Sequence, residues 1–95
     1  MKTEYKLSYT ALFKKQHKLL IKRGYNISEL DAVIRLLARG EALPQKYRDH
    51  ALTGNRKGLR DCHIRPDWLL IYKKDDDVLT LLLCETGSHA DLFDM

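Results

Sequence analysis

Three of the four histidines in this 95-residue chain, His50, His63 and His89, lie in its second half near Asp49, Asp61 and Asp67. Asp61 and His63 are two residues apart in a segment that reads as a strand, so both side chains leave the same face. Asp67 falls in the turn that follows, and His50 and His89 flank the sheet, so three imidazoles and two carboxylates can converge at one end or face. Such a group suits RNA cleavage. One neutral imidazole takes the proton of a ribose 2′-OH while a second, protonated, gives one to the departing 5′-oxygen, and an ordinary histidine near 6.5 offers both forms. Arg or Lys must then stabilise charge on the pentavalent phosphate. That route needs no metal and no cofactor.

His and Asp also ligate Zn or Fe(II), but the chain has no HxxxH, HExxH or CxxC spacing, which argues against a metal centre. Ser88 beside His89 lacks the context of a nucleophile elbow. Cys62, between Asp61 and His63, points to the opposite face and reads as a buried thiol. It would neighbour Cys84 only if both faced one core.

The surroundings favour a polyanion. Tyr47, Trp68 and Phe93 are interleaved with Arg48, Arg56, Lys57, Arg60 and Arg65, and single-stranded nucleic-acid sites combine aromatics that stack bases with cations that hold phosphates. Trp68 has a competing reading as core at the start of a central strand, and Lys14, Lys15, Lys18, Lys22 and Arg23 one as a solvated helix face. The net charge of +4 divides unevenly: residues 1–74 hold all 17 Lys and Arg against seven acids, a net +10, and residues 75–95 hold six acids and no Lys or Arg. A basic body attracts nucleic acid, and acidic protein segments equally.

The elements that must position these groups are legible in outline. Residues 3–8 alternate weakly, as a first strand. Thr10 to Arg23 reads as a helix stopped by Gly24, with Leu12, Phe13, Leu19 and Leu20 as its apolar side. Ser28, with Asp31 three residues on, is expected to cap a second helix ended by Gly40; Leu30, Val33, Ile34 and Leu37 form its apolar stripe. Residues 41–55 read as an irregular connection. Strands are expected near 57–64, 68–74 and 78–85, joined by the turns at Pro66-Asp67 and 74–77 into an antiparallel meander. Segments 68–72 and 78–83 are apolar on both faces and should be central; one face buries the helices, and the other must be covered or form a pocket. The order β-α-α-β-β-β gives a single α+β domain over 1–95, with two N-terminal helices packed on a twisted, mainly antiparallel sheet. Composition near globular averages excludes wholesale disorder, no apolar run approaches the ~20 residues of a membrane span, two cysteines are too few for a disulfide scaffold, and residues 1–6 do not resemble a secretion signal. A cytoplasmic domain is expected, with no membrane partner.

Three stretches carry a resemblance: Leu43-Pro44-x-x-Tyr47-x-Asp49-His50-x-Leu52-x-Gly54, Gly58-x-Arg60-Asp61-x-His63-Ile64-x-Pro66-Asp67-Trp68-Leu69-Leu70-Ile71-Tyr72, and Thr86-Gly87-Ser88-His89-Ala90-Asp91-Leu92-Phe93. In this order and spacing they resemble the YafQ-type toxins of the RelE/ParE superfamily. The resemblance implies a microbial RNase-type fold and a type II toxin that cleaves mRNA in the ribosomal A site. It also implies a cognate antitoxin that silences the toxin, with operator DNA bound only through the complex. Position by position, His50, Asp61, His63, Asp67, His89 and Phe93 match the family's active-site residues. His50 is then expected as general base and His89 as general acid, with His63 positioning phosphate, Asp67 orienting an imidazole and Phe93 stacking on a base. Lys57, Arg60, Arg65 and Trp68 complete the expected substrate contacts. Relatives commonly carry Arg where this chain has Glu85, so the cation must come from elsewhere. Alternation favours Lys57 or Arg65 over Arg60, and Glu85→Arg is expected to be neutral or activating. Two other classes remain open: a ParE-like toxin acting by protein contact alone, which would not need the His/Asp group, and a module that only binds antitoxin or DNA.

Overall fold

Thr10 begins the first helix, α1 (Ala11–Lys22), by accepting the Phe13 N–H on its hydroxyl at 2.9 Å. Such a cap satisfies one of the donors that a helix start leaves unpaired. Gly24 ends it at φ +83°, where the Tyr25 N–H reaches back to the Leu20 carbonyl and the Gly24 N–H to that of Ile21. This left-handed closure favours glycine. The computed structural model describes residues 4–93, so Thr3, where the first strand is expected to begin, lies outside the described residues. The second helix, α2 (Ile27–Ala38), is capped by Asn26, whose Oδ1 accepts the Ser28 N–H at 3.2 Å. The expected cap residue, Ser28, is thus the donor. Gly40 closes α2 as Gly24 closes α1.

Five strands form one sheet: β1 (Lys6–Tyr9), β2 (His50–Ala51), β3 (Arg60–Arg65), β4 (Trp68–Asp75) and β5 (Thr80–Gly87), in the order β1-β5-β4-β3-β2. β3, β4 and β5 make the expected antiparallel meander, and β1, which precedes the two helices, pairs parallel with β5 at the sheet edge. A short helix, α3 (His89–Phe93), follows. The architecture is the α+β arrangement the pattern indicates.

Differences fall where local chemistry overrides periodicity. β5 starts at Thr80 because Leu79 is left-handed at φ +49° and Asp75 Oδ1 accepts the Asp77 N–H, making a turn of 75–79. β3 starts at Arg60 because a 3-10 turn at Gly54–Arg56 and Gly58 at φ +94° precede it. The connection at 41–55 holds another 3-10 turn, Gln45–Tyr47, as well as β2.

The sheet has two unlike faces. α1 and α2 cover one, packing Phe13, Leu20, Leu30, Val33 and Leu37 against Cys62, Trp68, Leu70, Tyr72, Leu81 and Leu83. On the other, Leu69 and Ile71 meet Leu92 of α3, with Leu52, Leu59, Cys84 and Phe93 around them. Cys62 and Cys84 therefore belong to opposite faces, and burial pushes both thiols up. Among the described residues, no helix is long and apolar enough to cross a membrane.

Trp68 is 1% exposed, donates its indole N–H to Thr86 Oγ1 at 3.1 Å and meets Tyr25 edge-on at 5.0 Å. Trp68→Ala should cost about 3–5 kcal/mol. Leu12→Ala, at a half-exposed position of α1, should stay within about 0.5 kcal/mol. Denaturant titration of the two variants checks the contrast.

Candidate active site

Register on the second face creates the site. His50 on β2 stands opposite Asp61 on β3, Asp61 opposite Ile71 on β4, and Ile71 opposite Glu85 on β5. One row across four strands thus carries an imidazole and two carboxylates. The next residue on that face of β3 is His63. Its ring centroid lies 6.4 Å from that of His50 and 5.6 Å from that of His89, and the His89 ring is 6.4 Å from Phe93. The three imidazoles therefore form a chain with His63 in the middle.

Asp61 lies beneath them, 4% exposed. Its Oδ2 is 3.8 Å from His50 Nε2, and its buried Oδ1 has no hydrogen-bond partner. Burial raises its carboxyl above the ordinary range, while the nearby His63, His50 and His89 pull it back. A desolvated carboxylate of this kind stabilises positive charge on whatever faces it.

Each outer imidazole is oriented through Nδ1. The Arg48 carbonyl lies 2.7 Å from His50 Nδ1, presented by a left-handed Arg48 at φ +48°. A carbonyl only accepts, so Nδ1 carries the hydrogen and Nε2 of the neutral ring is bare. Asp67, in the β3–β4 turn, accepts both the backbone N–H of His89 at 3.0 Å and its Nδ1 at 2.6 Å. The backbone donor first, then the imidazole, hold the Asp67 carboxyl below its usual range. Nδ1 of His89 is thereby committed as a donor to a carboxylate, with Nε2 left for chemistry.

α3 is pinned at its start. The Ser88 N–H donates to Asp91 Oδ2 at 3.0 Å, the Asp91 N–H to Ser88 Oγ at 3.1 Å, and Arg23 at the end of α1 bridges to Asp91 at 3.0 Å. A Cβ on Gly87 would come within 3.0 Å of Asp91, so glycine is what lets the strand run into this capping box.

The expected substrate contacts separate. Phe93 sits beside His89. Trp68 is in the core with no face open to a base, which corrects its expected place in the site. Arg65 makes a two-pronged bridge to Glu29 of α2 at 2.7 and 2.8 Å. Arg60 leaves β3 on the side away from Asp61 and donates to Asp49 at 3.2 Å, which also accepts the Tyr72 hydroxyl at 2.5 Å. Lys57 makes no ion pair among the described residues. A groove of about 790 Å³ runs from His89 and His63 to Tyr47, with Lys46, Arg48 and Arg65 along it.

Sequence reasoning grouped Arg56 with the phosphate-holding cations and missed its pairing. Arg56 donates to Glu85 Oε2 at 2.6 Å and to the Leu92 carbonyl at 2.9 Å, with its guanidinium 4.9 Å from the centre of the Phe93 ring. The available signal was Glu85 itself, since a half-buried acid in this row calls for a cation. The pairing reverses the expectation for Glu85→Arg, which would set two guanidinium groups against each other. Among the described residues, no three His, Cys, Asp or Glu side chains are arranged to hold a metal ion.

Comparison with known proteins shows the family. Residues 5–94 match the family model described as the bacterial toxin of type II toxin–antitoxin systems, YafQ. The mRNA interferase toxin YafQ of Escherichia coli K12 is 41% identical over 88 residues, covering 92% of this chain and 94% of that one. YafQ in the E. coli DinJ–YafQ complex superposes with a TM-score of 0.87 at 40% identity, over 95% of this chain and 99% of that chain. A toxin from Helicobacter pylori, solved with metal bound, gives 0.86 at 39% identity, over 98% of this chain and 100% of that chain. The chain belongs to the YafQ family of bacterial toxins of type II toxin–antitoxin systems.

Proposed function

We propose that this chain cleaves mRNA on the ribosome by general acid–base catalysis without a metal, and that a cognate antitoxin holds it silent. The observation that carries the reading is the pair of outer imidazoles, each with Nδ1 committed to an acceptor and Nε2 left for proton transfer, on either side of His63. His50 Nε2 takes the proton of the ribose 2′-OH, and the 2′-oxygen attacks phosphorus. The bond to the 5′-oxygen breaks as that oxygen receives a proton from His89 Nε2. The products are a 2′,3′-cyclic phosphate, or the 3′-phosphate after hydrolysis, and a 5′-hydroxyl end.

Asp67 holds the His89 ring through Nδ1 and leaves Nε2 to act as the general acid. Asp61 offsets positive charge in the middle of the chain, where His63 meets the phosphate. Phe93 stacks on a base next to the cut. Arg60 and Arg65 are each neutralised by an acid, so Lys46, Arg48 and Lys57 are the better candidates for holding phosphates. The name of the E. coli relative supports the substrate, and the DinJ–YafQ toxin–antitoxin complex supports an antitoxin partner; this chain engages operator DNA only through its own antitoxin complex.

His50→Ala and His89→Ala should each lower the cleavage rate by roughly 10²–10⁴ and leave melting nearly unchanged. Mapping 5′ ends on translated messages after induction reads the activity. Growth arrest with intact messages, or full toxicity of both folded variants, would overturn the reading. Activity that EDTA abolishes and zinc restores would move it to the metal route. Co-purification with the product of the adjacent reading frame checks the partner.

Asp61 gives a pH-dependent expectation. Its folded value lies above the unfolded one, so the folded state prefers the protonated acid. Stability is then lost as pH rises from the ordinary carboxylate range through the raised value. Asp61→Asn removes that loss. The variant should melt at least as high as wild type at pH 7, with the difference shrinking towards pH 3, while cleavage falls. Melting across this range, alongside cleavage at pH 7, reads both effects.

A further inference from the structure

We propose that Arg56, fixed by Glu85, is a positioning residue that seats Phe93 for base stacking; this rests on the role given to Phe93 above. Three contacts converge on one guanidinium. Nη1 donates to Glu85, Nη2 donates to the Leu92 carbonyl, and the group lies over the Phe93 ring. The last carbonyls of a helix have no partner within it, and in the five residues of α3 the Leu92 carbonyl is one of these. Arg56 supplies the missing donor and covers the ring of the next residue with the same planar group.

The two ends of α3 are held by separate devices. Ser88, Asp91, Arg23 and Asp67 fix the His89 end; Arg56 and Glu85 fix the Phe93 end. Acid catalysis and base stacking can therefore be disturbed independently. Arg56 is spent on Glu85 and is not the phosphate cation. Its effect passes through the aromatic ring, whose guanidinium-covered face makes it the middle layer of a guanidinium–ring–base stack. Lysine could match the charge but not the two-acceptor fork.

The test is a double-mutant cycle on the full chain, with cleavage measured on mRNA-programmed ribosomes over a range of their concentration. Arg56→Ala should raise KM by roughly 5- to 30-fold, within what one lost stacked base costs, and change kcat by less than about threefold, the His89 end being undisturbed. Arg56→Lys should recover only part of the loss. In a Phe93→Ala background, Arg56→Ala should add nothing further. Independent multiplication of the two effects, an unchanged KM, or a loss confined to kcat overturns the proposal. If Arg56→Ala does not fold, Glu85→Ala, which removes the acceptor that fixes the guanidinium, should raise KM in the same direction and show the same non-additivity with Phe93→Ala. Wild-type protein that leaves the message intact fails the parent reading, and the inference with it; wild-type cleavage with an unchanged KM in the variants fails the inference alone.

Discussion

A carboxylate buried under three imidazoles sets the terms for the second face of this sheet. Asp61 is desolvated, with one oxygen unpartnered and the other facing His50. An isolated buried charge costs several kcal/mol unless something compensates it, and here burial outweighs the partial offset from His63, His50 and His89. None of them comes from the same local segment as both others: one is on a two-residue edge strand, one shares the strand of Asp61, and one begins the last helix. β2 must pair in register with β3 and α3 must dock across the β3–β4 turn before that offset is in place. The site is thus a product of the whole fold, assembled at some cost to its stability.

The opposite face provides the stability that this arrangement spends. α1 and α2 bury a continuous apolar layer against β3, β4 and β5, with Trp68 and Tyr72 among its largest side chains. The Tyr72 hydroxyl is pushed up by burial and by its bond to Asp49, which also receives Arg60. Strand alternation thereby separates two networks one residue apart on β3: Arg60 joins the one around Asp49 and Tyr72, and Asp61 the one around the three imidazoles.

Much of this was legible in the sequence because it depends on short-range rules. The helix-stopping glycines, the apolar stripe of α2, the two-residue spacing of Asp61 and His63, and the turns that force a meander are all local. The rest depends on distant partners. β2 is too short to show a period and exists because Asp61 stands opposite His50; α3 is one turn beyond a strand, held by Arg23 from α1 and by Asp67 from a turn. Arginines are the hardest to read, since their reach lets a distant acid decide their direction. Arg65 turned to Glu29, Arg60 to Asp49 and Arg56 to Glu85. Trp68 showed both an aromatic and its core position, and burial decided between them.

Those pairings change what the charge asymmetry means. The acids after residue 74 are not simply a counterweight to a basic body. Glu85 holds Arg56, Asp91 holds Arg23, and Asp76 accepts the hydroxyl of Tyr5. Part of the basic excess is therefore neutralised within the fold, and the acids that neutralise it place α3 with His89 and Phe93. Glu29, on α2, and Asp49, before β2, neutralise two further arginines. Lys46 and Arg48, which make no ion pair with an acid among the described residues, border the groove that leads to His63 and His89. Pairing has removed positive charge where a side chain must be held still and left it where a phosphate backbone could enter. A polyanion entering the groove would therefore meet Lys46 and Arg48, beside the Arg65–Glu29 pair, on its way to the imidazoles, a more local feature than the net charge of the chain conveys.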